Sequence, residues 1–387
     1  MPPLPPLEDD LDELERRDRL RTLTCLDGTS RAHPRKAERT LRAFCSNDYL
    51  GLADHPDLLA AASSAAQTSG FGAGASRLLS GHLRPHEALE AALADLVRLP
   101  AALLYSTGYQ ANLGVVTALA GPEDLIVSDQ ANHASLIDGC RLSRATVRVY
   151  GHLDAGAARD ALRNGRFRRR FLLTESLFSM DGDPAPLSDL AAITSDQDAT
   201  LIVDEAHALG VLGPDGRGLC QQAGILPDVL VGTLGKAFGA FGGFVAGADV
   251  LRRYLINRSR TFIYTTGLPA PVAAAATAGV SLALSEEGQR RRAALAARIQ
   301  SLRASLARLP LPHPLPDQDG PILPIILGAD RAALALSQNL ANRGFLLPAV
   351  RPPTVPEGTA RLRITLSAGH TQADVDELAE ALRGALS

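Results

Sequence analysis

The chain has 387 residues, more than one hydrophobic core of ordinary size supports, so we expect at least two domains. With 46% hydrophobic and 21% charged residues, its composition is typical of a soluble globular protein. The 39 basic and 42 acidic residues leave a net charge of −3, which gives no long-range field to attract nucleic acid or an anionic membrane. We therefore expect a small-molecule partner.

The cysteines and the first residues also exclude some classes. Cys25, Cys45, Cys140 and Cys220 form no C-x-x-C pair and no cluster at zinc-ligand spacing, which predicts free thiols and no metal site. The start of the chain lacks a basic segment followed by an apolar run, and no stretch approaches the roughly 20 apolar residues that span a membrane. We expect a cytoplasmic protein with no membrane partner.

Residues 1–40 are predicted to form an N-terminal helical segment. A proline-rich tip comes first, and Leu11, Leu14 and Leu20 follow at roughly helical spacing within residues 9–22. This pattern predicts an amphipathic helix whose apolar side packs on the main body or on a partner subunit.

Residues 41–266 are predicted to form the larger domain. Short, uninterrupted apolar runs alternate there with Ala/Leu-rich helical patterns, which indicates a mostly parallel sheet with flanking helices, buried on both faces. The runs are AALLYST, LIVSD, FLLTES, ATLIVDEAH and VLVGTLG. Most of them end in small or polar residues, and the carboxyl ends of parallel strands line the ligand crevice of an open α/β sheet. We therefore expect these polar ends to converge on one site.

Residues 267–387 are predicted to form a smaller α+β domain. An Ala-rich helix over about 270–307 is followed by the strand PILPIIL, a helix near 330–343, the strand RLRITLS and a final helix. Together with the preceding segment, this alternation predicts an α/β protein of two unequal domains.

Lysine is the rarest basic residue of the chain, occurring only as Lys36 and Lys236. Arginine can neither lose its proton near neutral pH nor form an imine, whereas lysine can do both. Lys236 lies among small residues in TLGKAFG, directly after a predicted strand, which favours a chemical role. Lys36 lies in a polar stretch, and chance retention explains it.

Asp204 ends a predicted strand 32 residues before Lys236. A buried carboxylate is costly unless a cation accompanies it. A protonated pyridine nitrogen would be such a cation, and the carboxylate would in return keep the ring an electron sink. The alternative is an aspartate that caps the next helix. Taken with Lys236, Asp204 predicts a pyridoxal 5′-phosphate site.

Three further segments add candidate contacts. Thr107-Gly108-Tyr109 follows a strand and opens a helix, so its free amides suit a phosphate group, although an ordinary capped helix would look the same. His133 follows another strand and could stack on a flat ring. Arg351 lies on a stiff proline loop that suits a substrate carboxylate. Arg361 and Arg363 begin the next strand, and two of these three arginines are expected to be ordinary surface residues.

Together these motifs resemble the α-oxoamine synthase family over nearly the whole chain. The matching segments are SNDYLGL at 46–52, GFGAGASRLLSGH at 70–82, TGYQAN at 107–112, DQANHAS at 129–135, TESLFSMDGD at 174–183, VDEAHALGVLGPDGRG at 203–218, TLGKAFG at 233–239 and RPPTVPEGTARLRITLSAGHT at 351–371. The resemblance implies a fold type I pyridoxal-phosphate transferase and a homodimer with active sites at the subunit interface.

The resemblance also implies a role for each matching residue. Lys236 would carry the cofactor as a Schiff base and act as the base, Asp204 would bind the ring nitrogen, and His133 would stack on the ring and assist catalysis. His207 and Ser179 would contact the phenolic oxygen of the cofactor. The other implied cofactor contacts are Gly108, Tyr109 and Thr233. The implied substrate contacts are Arg21, Asn47, His133, Arg351 and Thr354. Tyr109 stands where the family often has phenylalanine.

Within the family, the last motif looks most like the oxononanoate branch, which joins L-alanine to a pimeloyl thioester with loss of carbon dioxide. The sequence leaves open whether coenzyme A or acyl carrier protein delivers the acyl group. Other members of the family, such as glycine C-acetyltransferase, are the nearest alternatives. An ordinary aminotransferase and a catalytically silent scaffold are more distant ones.

Overall fold

The computed structural model describes residues 7–28, 32–316 and 319–386. The chain divides into two compact units. The larger unit comprises Asp48–Ser179 and Asp183–Ala293, and the smaller one comprises Met1–Asn47, Met180–Gly182 and Ala294–Ser387. These units divide the chain near 47 and 293, rather than at the predicted 40 and 266.

The described chain contains both strands and helices. The strands are β1 (Arg35–Lys36), β2 (Arg39–Thr40), β3 (Arg42–Ala43), β4 (Ala101–Tyr105), β5 (Leu125–Asp129), β6 (Thr146–Tyr150), β7 (Arg170–Glu175), β8 (Thr200–Asp204), β9 (Val229–Thr233), β10 (Gly243–Gly247), β11 (Ile322–Gly328), β12 (Phe345–Leu346), β13 (Ala349–Val350) and β14 (Ala360–Thr365). The α-helices are α1 (Leu7–Arg16), α2 (Pro56–Ser69), α3 (Arg84–Val97), α4 (Gly108–Leu119), α5 (Ala134–Ser143), α6 (Ala155–Arg163), α7 (Leu187–Asp196), α8 (Leu219–Gln222), α9 (Asp249–Arg258), α10 (Arg260–Ile263), α11 (Ala270–Leu284), α12 (Glu286–Leu306), α13 (Asp330–Asn342) and α14 (Gln372–Leu386).

A seven-stranded sheet forms the centre of the larger unit, in the order β4-β10-β9-β8-β7-β5-β6. Strands β5 to β9 run parallel, and β10 lies antiparallel between β9 and β4. The predicted mostly parallel sheet is thus confirmed, and each of the five predicted runs contains one of its strands. Two strands were not predicted: β6 because it is a largely exposed edge, and β10 because glycines begin and end it.

Alternate residues of the parallel strands point to opposite faces of the sheet. Ile126 and Leu173 belong to a cluster with helices α4, α5 and α9. Their neighbours Leu125 and Leu172 belong to a second cluster, with α6 and α7. Fully burying one such leucine contributes roughly 1.5–3 kcal/mol, so both faces hold the sheet, and with it the strand ends, in place.

The predicted single helix over 270–307 is wrong, because the chain breaks at Ser285. Helix α11 ends at Leu284, and Ser285 adopts extended backbone with ψ of 174°. Its hydroxyl accepts a hydrogen bond from the Gly288 N–H at 3.4 Å, which caps the start of α12. Helix α11 packs on α2 and α3, and for that reason it belongs to the larger unit.

The smaller unit contains an antiparallel sheet β11-β14-β13 with α13 and α14, as the predicted α+β pattern requires, and a parallel pair β3–β12. Leu7, Leu11 and Leu14 of α1 are all exposed, so the predicted packing of this helix on the main body is not formed within the described chain. The predicted tip over residues 1–6 lies outside the described residues. Among the described helices, none is both long and apolar enough to span a membrane.

Candidate active site

The carboxyl ends of β8 and β9 bring Lys236 and His207 together in the larger unit. Lys236 Nζ lies 2.8 Å from His207 Nε2. The other ring nitrogen, His207 Nδ1, lies 2.7 Å from the hydroxyl oxygen of Tyr49, a side chain with no exposed surface. The two residues predicted around the cofactor therefore contact each other, and a buried tyrosine contacts the opposite side of the His207 ring.

Asp204 ends β8 as a buried carboxylate. Its Oδ1 accepts the Ala206 N–H at 2.9 Å, and its Oδ2 accepts the side-chain amide of Asn112 at 2.7 Å. The segment after Asp204 forms turns rather than a helix, so the alternative of a helix cap is wrong. Among the described residues, no cation pairs with Asp204. Its surroundings suit a cationic ring nitrogen, which would offset the cost of burying this charge.

His133 is connected to Asp204 through two polar side chains. Asn112 donates a second hydrogen bond to the Ser135 hydroxyl at 2.9 Å, and Ser135 Oγ lies 2.7 Å from His133 Nδ1. Since the Ser135 N–H also points at Nδ1, at 3.2 Å, this nitrogen acts as the acceptor and the ring proton lies on Nε2. Burial lowers the pKa of His133, which favours a neutral ring.

The start of α4 provides an anion site. Thr107 caps the helix by accepting the Gln110 N–H at 3.1 Å, and the N–H groups of Gly108 and Tyr109 open the first turn. A Cβ at Gly108 would lie 3.5 Å from the Thr233 side chain, so these two predicted cofactor residues are neighbours. The Tyr109 hydroxyl donates to Asp138. A phosphate of the cofactor fits this helix start.

Glu175 ends β7, directly opposite Asp204 in the sheet register. It is buried, and its Oε1 has no hydrogen-bond partner among the described residues. Burial, together with the charge of Asp204, raises the pKa of Glu175 to about 8, while Lys236 and the backbone N–H groups of His133 and Ser179 act in the opposite direction. The backbone N–H of Ser179, a predicted cofactor residue, therefore lies close to the Glu175 carboxyl group.

Tyr49, Asn112 and Glu175 were not among the predicted site residues. Each lies within a segment already singled out by its motif, namely SNDYLGL, TGYQAN and TESLFSMDGD. The motifs were therefore the available signal. Only the fold shows which of their side chains turn toward Lys236 and Asp204.

The smaller unit brings together three of the predicted substrate residues. Arg21 donates to the backbone oxygens of Arg351 at 3.3 Å and of Pro352 at 3.1 Å, and the Thr354 N–H donates to Arg351 O at 3.1 Å. Arg351 is buried, and its Nε has no hydrogen-bond partner among the described residues. Arg21 and Arg351 line a cleft of about 950 Å³ whose other side chains are partly apolar, such as Phe345, and partly polar, such as Lys36 and Gln338.

Asn47, the fourth predicted substrate residue in this unit, binds Arg363, whose Nη1 donates to Asn47 Oδ1 at 3.1 Å. Arg361 pairs with Asp181. Arg351, Arg361 and Arg363 are all buried, so the expectation that two of them are surface residues is wrong. Their guanidinium groups bond to protein oxygens, which is how buried cations are stabilised.

A pyridoxal phosphate fits the residues of the larger unit. The helix start suits its phosphate, Asp204 its ring nitrogen, and His133 the face of its ring. Lys236, between small residues, suits its aldehyde carbon. Each of these groups is supplied by the end of a strand or by the segment that directly follows one.

Comparison with known proteins agrees with this arrangement. A sequence model of the aminotransferase class I and II family matches residues 40–382. An 8-amino-7-oxononanoate synthase of Marinobacter nauticus is 51% identical over 347 residues, covering 89% of this chain and 87% of that protein. The similarity read from the motifs is thus confirmed.

Solved structures give the same result for the fold. A serine palmitoyltransferase with a pyridoxal phosphate internal aldimine superposes with a TM-score of 0.92 at 28% identity, covering 99% of this chain and 98% of that one. An 8-amino-7-oxononanoate synthase from Francisella tularensis has a TM-score of 0.77 at 30% identity, covering 89% and 97%. The predicted fold type I transferase architecture is confirmed.

Proposed function

Because the chain belongs to the aminotransferase class I and II family and, within it, to the 8-amino-7-oxononanoate synthases, we propose that its lysine site joins L-alanine to a pimeloyl thioester. The products are 8-amino-7-oxononanoate, carbon dioxide and a free thiol, in a step of biotin biosynthesis. The protein is thus a pyridoxal-phosphate-dependent acyltransferase. The observation that carries the proposal is the 2.8 Å contact of Lys236 with His207, in the same unit as the buried carboxylate of Asp204.

When bound, pyridoxal phosphate supplies an electron sink next to the alanine Cα. Lys236 would hold it through Nζ, and the same nitrogen, as a neutral amine, would take the α-proton of alanine. Asp204 would keep the ring nitrogen protonated. Asn112 and the Ala206 N–H orient that carboxylate from both of its oxygens.

The other residues of the larger unit would hold the cofactor and orient the reacting groups. The N–H groups at the start of α4, with Thr233 beside them, would bind the phosphate, and His207 with Ser179 would contact the phenolic oxygen of the cofactor. His133 would lie against the ring face. Since its proton lies on Nε2, His133 can donate a hydrogen bond to the oxyanion that develops on the thioester carbonyl.

We propose that four residues of the smaller unit bind substrate. Arg21, Arg351, Asn47 and Thr354 are proposed to face substrate, with the guanidinium groups binding carboxylates. The cleft beside Arg21 and Arg351 has a mixed lining, in which leucine and phenylalanine side chains could contact an acyl chain and the cations could contact a carboxylate. Parallel assays with pimeloyl-coenzyme A and with the pimeloyl-acyl carrier protein identify the thiol carrier.

We also propose that the protein is a homodimer. Leu7, Leu11 and Leu14 form an exposed apolar stripe on α1, and Phe71 and Leu79 are 80% and 82% exposed in the loop after α2. Large apolar side chains grouped on a surface usually mark an interface. Light scattering at micromolar concentration should give twice the 40.7 kDa mass of the chain, and a monomer would contradict this part of the proposal.

A product assay tests the reaction. The purified protein is mixed with pyridoxal phosphate, each amino acid among alanine, glycine and serine, and each acyl thioester, and product and carbon dioxide are measured. The proposal expects the highest turnover with alanine and the pimeloyl thioester. Highest turnover with glycine and acetyl-coenzyme A would indicate a glycine C-acetyltransferase, and no turnover with cofactor bound would indicate a silent scaffold.

A further inference from the structure

A half-buried histidine with no part in the mechanism above lies between two carboxylates of the larger unit. His152 follows strand β6, and its Nδ1 lies 2.9 Å from Asp129 Oδ1, while its Nε2 lies 3.0 Å from Asp183 Oδ2. The His152 side chain is 20% exposed, and the side chains of Asp129 and Asp183 are 1% and 21% exposed. Both nitrogens of the ring therefore face carboxylate oxygens.

The two contacts indicate that the His152 ring is charged. A neutral imidazole has one N–H group and could donate to only one of two ionised aspartates, whereas an imidazolium donates to both. A proton between an imidazole and a carboxylate prefers the imidazole, because the ordinary pKa of imidazole, about 6.5, lies above that of the carboxyl group, about 3.9. Burial by itself lowers the pKa of His152, but the hydrogen bonds and charges of Asp129 and Asp183 outweigh burial and raise the pKa to about 10.

Asp129 belongs to the loop that carries His133. It ends β5, its Oδ1 also accepts the Ala131 N–H at 2.8 Å, and its backbone oxygen accepts the Asn132 N–H at 3.2 Å. The side-chain amide of Asn132 donates to Leu173 O at 2.9 Å. His133 is the next residue, so its position depends on where Asp129 is held.

Asp183 belongs to the loop that carries Ser179. Its backbone oxygen accepts the Phe178 N–H at 3.0 Å. The Phe178 ring contacts the His152 ring in a T-shaped arrangement, with 4.4 Å between the ring centroids and an angle of 89° between the planes. Ser179 directly follows Phe178, so His152 contacts this loop on both sides of Ser179.

The turn that presents His152 is also bonded to Asp129. Leu153 has a φ of 62°, a left-handed conformation that leucine rarely adopts, and its N–H donates to Asp129 Oδ2 at 3.0 Å. Tyr150, at the end of β6, stays uncharged because burial, and then the charge of Asp129, raises its pKa. The charge that faces the two aspartates from this segment is therefore that of His152.

We infer that His152 is a positioning residue that joins the loop of His133 to the loop of Ser179 through two charge-assisted hydrogen bonds. The inference rests on the proposed contacts of His133 and Ser179 with the cofactor ring. Because both loops would contact the same ring, removal of the bridge should let them move independently and should weaken cofactor binding.

NMR of the full-length chain, with and without cofactor, tests the charge of the bridge. The histidines are labelled with ¹³Cε1, and a His152→Gln chain assigns the signal. We expect His152 to stay protonated up to about pH 8.5 in the parent, since its pKa is about 10, and its titration midpoint to move to lower pH in Asp183→Asn. Asp183→Asn also identifies the signal if His152→Gln does not fold. A parent midpoint near the ordinary value of about 6.5, or an unchanged midpoint in Asp183→Asn, overturns the inference.

Cofactor affinity tests the positioning role. Arg168→Gln is the control, because Arg168 also donates to a buried aspartate next to β5, namely Asp124, at 2.8 Å, but at the start of the strand rather than at its end. Each cofactor-free chain is titrated with pyridoxal phosphate, the visible imine band gives the Kd, and circular dichroism checks the fold. The Kd should rise by roughly tenfold or more in His152→Gln and in Asp183→Asn, as for one lost charge-assisted hydrogen bond, and by less than about twofold in Arg168→Gln.

Equal changes of Kd in His152→Gln, Asp183→Asn and the control would show that His152 only stabilises the fold, and would overturn the inference. Neither measurement depends on turnover. A parent that makes product, but whose cofactor affinity is unaffected by loss of the bridge, defeats this inference alone. A parent that binds cofactor without turnover defeats the proposed reaction instead.

Discussion

Replacing Asn112 by alanine should destabilise the larger unit and remove one of the hydrogen bonds that orient the Asp204 carboxylate. Asn112 is 1% exposed, and its amide donates to Asp204 at 2.7 Å and to Ser135 at 2.9 Å. A hydrogen bond to a charged group contributes roughly 1.5–3 kcal/mol and one between neutral groups roughly 0.5–1.5 kcal/mol. The variant should therefore lose about 2–4 kcal/mol, a large share of the roughly 5–15 kcal/mol that stabilises a folded protein.

Urea unfolding of the cofactor-free chain, followed by circular dichroism, measures this loss as a lower midpoint. Asn257→Ala is the control, because this exposed side chain donates one hydrogen bond, to Arg253 O at 2.8 Å, and its removal should change stability by less than about 0.5 kcal/mol. Equal midpoints for Asn112→Ala and the control would refute the assignment of Asn112 as the residue that orients Asp204.

Three further outcomes follow from the site. Lys236→Ala should lose the visible imine band and at least about a thousandfold in turnover while it keeps the circular dichroism of the parent; a retained band would show that another group holds the cofactor. The pKa of Glu175 is raised in the folded chain from its ordinary value of 4.5 to about 8. The stabilisation that its bound proton gives the cofactor-free chain is therefore complete below pH 4.5 and is lost as the pH rises through 8. Thermal midpoints should therefore fall over this range in the parent and less steeply in Glu175→Gln, and parallel curves would contradict the raised pKa. Arg351→Gln should raise KM for the pimeloyl thioester by roughly tenfold or more, as expected for a lost charge-assisted pair, with the cofactor spectrum unchanged; an unchanged KM would remove Arg351 from the substrate site.

The sequence by itself predicted the parts of the protein that depend on neighbouring residues. Continuous apolar runs require burial on both faces, which is why the parallel strands, and the polar residues at their ends, could be found without a structure. The scarcity of lysine identified Lys236 as a candidate. The position of Asp204 at the end of a predicted apolar strand identified the carboxylate. Both inferences use only the chemistry of a residue and its immediate neighbours.

Contacts between distant segments were decided by the tertiary structure alone. Tyr49 and His207 are 158 positions apart, and Asn112 and Asp204 are 92 apart, so no local pattern shows that these side chains bond to each other. The antiparallel strand β10 escaped prediction because a strand that begins and ends in glycine has a weak local signal, and packing determines it. The break at Ser285 had a local signal that the prediction missed, because a serine followed by Glu286 and Glu287 is typical of a helix start. Burial of the three arginines of the smaller unit likewise depends on partners such as Asp181 and Asn47, which lie far away in the chain and are brought near only by the fold.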